Sequence, residues 1–325
     1  MRLFLVELTR LRSRRAIAVL VAGAFVIAAV LLANVLWSNR PVAASELAAA
    51  QQQAAQEAER PRVQRDIQRC EQNPQRFFGP GFDAADCATQ LTPRADWFLY
   101  RQQLDPVNLA NDLPVGIALF AGVIAVLIGA TMIGAEWSAG SVGTQLLFEP
   151  RRSRVWTAKA LAIAAATAVM ALLLFLLVWT GILLAYQFWN DTPLPDGFTR
   201  DLAETGLRVV AFTAVAGLAG YAITMATRHT VVILGMMLAY SVVGEGLLRE
   251  FFRQIEPWLV SNNTFAWIQG RHVIRIYPEG ACSSIEECRP TKTVISLADA
   301  GLYFGVVAGA MLLISLFVFN RRDVP

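Results

Sequence analysis

The apolar positions gather into six long runs: Ala16–Leu36, Leu113–Ile133, Ala160–Tyr186, Leu207–Ala226, Val231–Leu247 and Leu302–Phe319. Runs of about 17–25 apolar residues are long enough to cross a bilayer as helices. The pattern therefore predicts an all-α, polytopic membrane protein with six transmembrane helices. The first run follows a basic start, as a secretory signal peptide would. It exceeds the roughly 7–15 apolar residues of a signal core, so it is read as a retained span. Residues 1–15 carry five Arg and one Glu, with Phe4, Leu8 and Leu11 on one helical face. They predict an N-terminal interfacial helix. The plainer alternative is a basic flank that only orients the first span.

The polar stretches between the runs set the domain plan. Residues 1–36 form the interfacial helix and first span, and 37–112 form a helical insertion. Residues 113–325 form the other five spans, with a loop at 134–159 and a second polar excursion at 248–296. Ala43–Arg60 is built of strong helix formers with no Gly or Pro, which predicts a helix. Gly79-Pro80-Gly81 and Thr92-Pro93 mark turns. The insertion is too polar for a large core, and a disulfide is expected to strap it.

Composition supports the membrane reading: 55% of residues are hydrophobic and 16% charged, against about 25% charged in an average chain. Charge distribution then orients the spans. With both termini inside, the inner segments hold 12 Lys/Arg and 4 Asp/Glu, and the remainder 16 and 21. That bias has the sign of the positive-inside rule, and predicts a multi-pass protein of the plasma membrane with cytoplasmic termini. It also puts all four cysteines outside, where they would pair as Cys70–Cys87 and Cys282–Cys288. The other pairings stay open.

The segment Gly134–Lys159, GAEWSAGSVGTQLLFEPRRSRVWTAK, lies between the second and third runs and ends in a basic cluster. Glu136, the small-residue turn Ser138-Ala139-Gly140, an apolar patch, then Glu149-Pro150-Arg151-Arg152 and Lys159 resemble the cytoplasmic coupling segment of type-2 ABC exporter permeases. The resemblance implies a short coupling helix, expected over Ala135–Phe148. Leu146, Leu147 and Phe148 would dock on a separate ATPase subunit, with Arg151, Arg152 and Arg154 at the rim. It further implies that Glu136 makes a structural ion pair; a solvated surface charge is the alternative. Trp137 and Trp156 fit headgroup anchoring equally well, and the arginines fit inner-leaflet anchoring.

The resemblance also implies outer re-entrant helices before the last span, forming a gate. Its residues would be Glu245, Arg249, Phe251, Phe252, Pro257 and Trp258, with Glu256-Pro257-Trp258 breaking the helix. Glu245 is expected to pair with Arg249, one turn on. Glycines 217 and 220, and 301, 305 and 309, read as close-packing faces, the second set as the better candidate for helix association.

No GxxxxGK[ST] phosphate loop occurs in the chain. No catalytic, cofactor or metal site is expected here; ATP and Mg²⁺ would sit on the partner ATPase. The implied assembly has two ATPases and two permeases, the second identical or homologous, in a lipid bilayer, without nucleic acid. It would export a drug, peptide, lipid or glycan by alternating access. The rival reading is a membrane-embedded sensor or assembly factor with a ligand-binding outer cap. A secondary transporter is weakened by the lack of a titratable network within the spans and of evident inverted repeats.

Overall fold

The computed structural model describes residues 2–79, 81–99, 104–190, 192–276 and 291–322. The expected Cys282–Cys288 pair lies outside the described residues. Among those described, six helices are long and apolar enough to cross a membrane. The chain divides into two compact units. One comprises Met1–Leu32, Pro106–Leu184 and Thr192–Pro325; the other comprises Ala33–Asp105 and Ala185–Asp191.

The first unit begins with α1 (Arg2–Ser13) and α2 (Arg15–Ser38), parted at Arg14. Helix α7 (Pro106–Ser138) starts seven residues before the apolar run, because nothing in Pro106–Asp112 opposes a helix and Pro106 suits a first turn. Helix α9 (Arg152–Trp189) and α10 (Phe198–Thr227) follow. Small residues bring α7 and α10 together. A Cβ on Gly220 would run into the Val126 carbonyl, and one on Gly129 into the Gly217 carbonyl. Such backbone approach is how helices associate without a hydrophobic driving force. The other glycine face behaves differently: Gly301 meets Trp267, while Gly305 and Gly309 meet nothing within 4 Å.

The fifth span is α11 (Thr230–Ala239) followed by a π-helical stretch, Tyr240–Leu248, and α12 (Arg249–Phe251). Extended π geometry is rare and concentrates at functional sites. A 3₁₀ turn over Arg253–Trp258 then leads into α13 (Val260–Gln269), so the chain breaks where Pro257 predicts. The buried amides of Asn262 and Asn263 close this break. They donate to the Glu256 and Pro257 carbonyls at 2.7 and 2.8 Å.

A hairpin of β1 (Arg271–Ile276) and β2 (Thr291–Ser296) follows, antiparallel with His272 opposite Ile295. The sequence reading had no strand here. Ala266, Ile274, Ile295 and Ala300 bury together beneath Trp267. Ser296 then caps α14 (Leu297–Arg321), the sixth span, through reciprocal bonds with Asp299.

The second unit holds α3 (Ala44–Ala58), α4 (Pro61–Gln72), α5 (Pro74–Phe78) and α6 (Ala84–Leu91). Cys70 and Cys87 form the expected disulfide, joining α4 to α6. Asp83 caps α6, accepting from the Ala85 and Asp86 amides. Ala50 and Ala54 form the buried stripe of α3.

Candidate coupling site

Helix α7 runs past Glu136 and Trp137 and stops at Ser138. Gly140 then adopts φ 65°, a left-handed conformation that costs a glycine little, and turns the chain into α8 (Ser141–Phe148). The expected single helix over Ala135–Phe148 is thus two helices with a glycine hinge, and Glu136 belongs to the span. Pro150 is the middle residue of the three-residue connection Glu149-Pro150-Arg151 between α8 and α9.

Glu136 is buried, and its burial is answered by charge. Lys159 Nζ lies 2.7 Å from Glu136 Oε2 and 2.9 Å from Glu7 Oε2. The Glu136 contact is ionic more than directional, since that oxygen has no well-aligned hydrogen bond. Arg14 approaches the other Glu136 oxygen at 3.4 Å. Gln145 donates to Glu7 Oε1 at 2.6 Å, and Arg10 donates to the Gln145 side-chain oxygen Oε1 at 3.2 Å. The cluster therefore ties α1, α7, α8 and α9 together through the buried Glu7, Glu136, Gln145 and Lys159, with the part-exposed Arg10 and Arg14 at its edge. A solvated surface charge is not what Glu136 is.

This arrangement leaves α8 two-faced. Val142 and Gln145 are buried, Leu146 is half-buried, and Leu147 and Phe148 are 83% and 86% exposed. Of the arginines, Arg151 and Arg154 are exposed. Arg152 is not free for a rim: it donates to the carbonyls of Phe319, Asn320 and Arg322, gripping the end of α14. Such a cation answers the unpaired carbonyls and negative pole of a helix C-terminus.

Neither tryptophan hangs free. Trp156 is buried, donates to Ser315 Oγ at 3.2 Å, and packs edge-on to Tyr221. The Tyr221 hydroxyl in turn donates to the Trp156 carbonyl at 2.8 Å. Trp137 is half-buried between the Phe319 ring and the Arg228 guanidinium. Packing, not headgroup anchoring, accounts for Trp156.

The expected gate residues lie around α12 and the 3₁₀ turn. Phe251, Phe252 and Trp258 are largely exposed, and Pro257 faces α14 across a cavity. Glu245 does not pair with Arg249. Its carboxylate accepts from the Ser261 amide at 3.0 Å, the Ser261 hydroxyl at 2.6 Å and the Tyr240 hydroxyl at 3.0 Å. The π-helical winding explains the change, because it shifts the residue one turn on away from the face that Glu245 occupies. Arg249 instead stands near His272, where burial first and that cation second push the imidazole below its usual value.

Sequence reasoning missed Glu7, Arg10, Arg14 and Gln145, and took Lys159 as part of the basic, coupling-like segment without assigning it a partner. One signal was present: Glu7 is the lone acid on an Arg-rich helix, and sits on the Phe4–Leu11 face.

Six apolar helices, two of which a buried charged cluster joins to the short helices α1 and α8, define a helical, multi-pass membrane protein. The chain belongs to the family described as ABC-2 family transporter protein, whose family model matches residues 7–324. It is thus the membrane component, the permease, of an ABC transporter. No curated protein and no solved structure matches the chain.

Proposed function

We propose that this permease is the membrane half of an exporter driven by separate ATPase subunits, with α8 as its coupling helix. One observation carries this reading. Helix α8 is fixed on one side by Val142 and Gln145, and offers Leu147 and Phe148 on the other. An apolar pair this exposed on an 8-residue helix suits a docking contact, because hot-spot contacts are apolar anchors that exclude water. The sealed cluster behind it suits force transmission. A push on α8 reaches Glu7 through Gln145, then α7 and α9 through Lys159, without slack. Movement of the spans about that cluster would alternate access to a pathway between two permease copies in the plasma membrane, lined by the first, second and fifth spans. Both termini and α8 would face the cytoplasm, in line with the basic bias of those segments.

Purification from the native membrane after mild cross-linking tests the assembly. An ABC ATPase in equal stoichiometry, with nucleotide hydrolysis in the same fraction, is the expected result. A chain recovered alone and without hydrolysis would overturn the reading.

A further inference from the structure

A cavity of about 530 Å³ lies among α7, α10, α13, α14 and the π-helical part of the fifth span. Its wall is apolar, with Val126, Phe212, Ala219, Met237, Phe304 and Met311 among the lining. Its size falls within the roughly 300–1,000 Å³ of small-molecule sites. One ionisable acid interrupts this wall: Glu245.

The three bonds to Glu245 all come from uncharged donors, the Ser261 amide and hydroxyl and the Tyr240 hydroxyl. A carboxylate offers about four acceptor positions, so one stays open. No cationic side chain pairs with it among the described residues, and the start of α13 supplies only about half a compensating charge. An apolar chamber with one under-compensated carboxylate selects for a ligand of matching shape and charge.

We infer that this cavity binds a lipophilic amine, a protonated primary or secondary amine on an apolar body. The ammonium donates to the open position on Glu245, and the body displaces water from the wall. A neutral hydrocarbon leaves the charge unanswered, and an anion is repelled. A phospholipid carries its phosphate beside any amine, bringing like charge to Glu245. The surrounding low dielectric strengthens the amine–carboxylate attraction relative to water. Binding here needs neither nucleotide nor partner, so its test stands apart from the role proposed for α8.

The test uses the full chain in phosphatidylcholine nanodiscs and a decylamine carrying a photoreactive diazirine, with labelled peptides mapped by mass spectrometry. Labelling is expected on the peptides carrying Val126, Ala219 and Met311. Excess decylamine should suppress it, while decanol and decanoate at equal concentration should not. Glu245→Gln should raise the decylamine concentration needed by roughly tenfold, the size of a lost charge-assisted bond. Glu245 also caps α13, so Ala219→Phe, which fills the cavity and leaves Glu245 in place, provides an independent measurement. It should abolish labelling of the lining peptides. Equal competition by decylamine and decanol, or unchanged labelling in both variants, would overturn the inference. So would suppression on changing the host lipid to phosphatidylethanolamine, which would assign the cavity to lipid.

Discussion

Lys159 Nζ stands 2.7 Å from Glu136 Oε2, with the lysine side chain fully buried and the glutamate 2% exposed. The same ammonium serves Glu7 at 2.9 Å, so one cation bridges acids from two other helices, with Arg10 and Arg14 supplying further positive charge. Burial decides what this pair is worth. At the surface it would contribute about 0–1 kcal/mol. Sealed from water, removal of one partner strands the others, at a cost of about 3–5 kcal/mol.

Lys159→Met should therefore lower the thermal midpoint far more than loss of any exposed pair such as Arg200–Glu204. Combining it with Glu7→Gln and Glu136→Gln should recover much of the loss, because no fully buried charge is then left unpaired, and Arg10 and Arg14, which lose their acids, retain access to solvent. Thermal unfolding of the purified variants measures both. A midpoint unmoved by Lys159→Met would show that the cluster holds nothing together.

The glycines provide a contrast within one fold. Gly220→Ala places a methyl against the Val126 carbonyl, which cannot move aside as a flexible side chain could. Overpacking of this kind costs about 1–3 kcal/mol. Gly305→Ala meets open space in the chain, and should stabilise α14 slightly through helix propensity. Thermal midpoints in monomeric form should fall for the first and hold or rise for the second. Equal effects would contradict the packing of α7 on α10.

The disulfide joins α4 to α6 across a separation of 17 residues. A loop of that length contributes about 3 kcal/mol by restricting the unfolded chain. The Ala33–Asp105 unit has little else to hold it, since its buried side chains are mainly alanines and the two cysteines. Cys70→Ser with Cys87→Ser should make limited proteolysis cleave this unit first. Unchanged protease resistance of both units would show that the bond is dispensable.

The six spans and the α3 helix were legible because both rest on local signals, apolar run length and uninterrupted helix formers. The candidate coupling site was legible in outline only. Leu147 and Phe148 could be read as a patch, and they are exposed. The partners of Glu136 could not, because Glu7 and Lys159 lie 129 and 23 positions away, and only the tertiary fold joins them. The Glu245 expectation failed for a local reason. It assumed α-helical spacing, and the π-helical winding of Tyr240–Leu248 changes which side chains share a face. The hairpin went unread because its strands are short and separated by a long polar segment, so neither carries a strong periodic signal.

The exposed pair on α8 gives the most direct test of coupling. Leu147→Asp and Phe148→Asp change side chains that face away from the chain's own packing, at 83% and 86% exposure. Neither should disturb insertion or the thermal midpoint, since a charge there stays in water. In a docked complex the same charge would be buried without a partner, which costs several kcal/mol. Co-purification with the ATPase and stimulated hydrolysis should therefore drop together, by tenfold or more per about 1.4 kcal/mol lost. Val142→Asp is the companion variant. Val142 is 1% exposed, so its replacement should destabilise the permease itself and lower expression. The separation of these two outcomes distinguishes a docking face from a packing face. If both exposed-site variants retain normal co-purification and normal stimulated hydrolysis at unchanged expression, α8 is not where the ATPase binds.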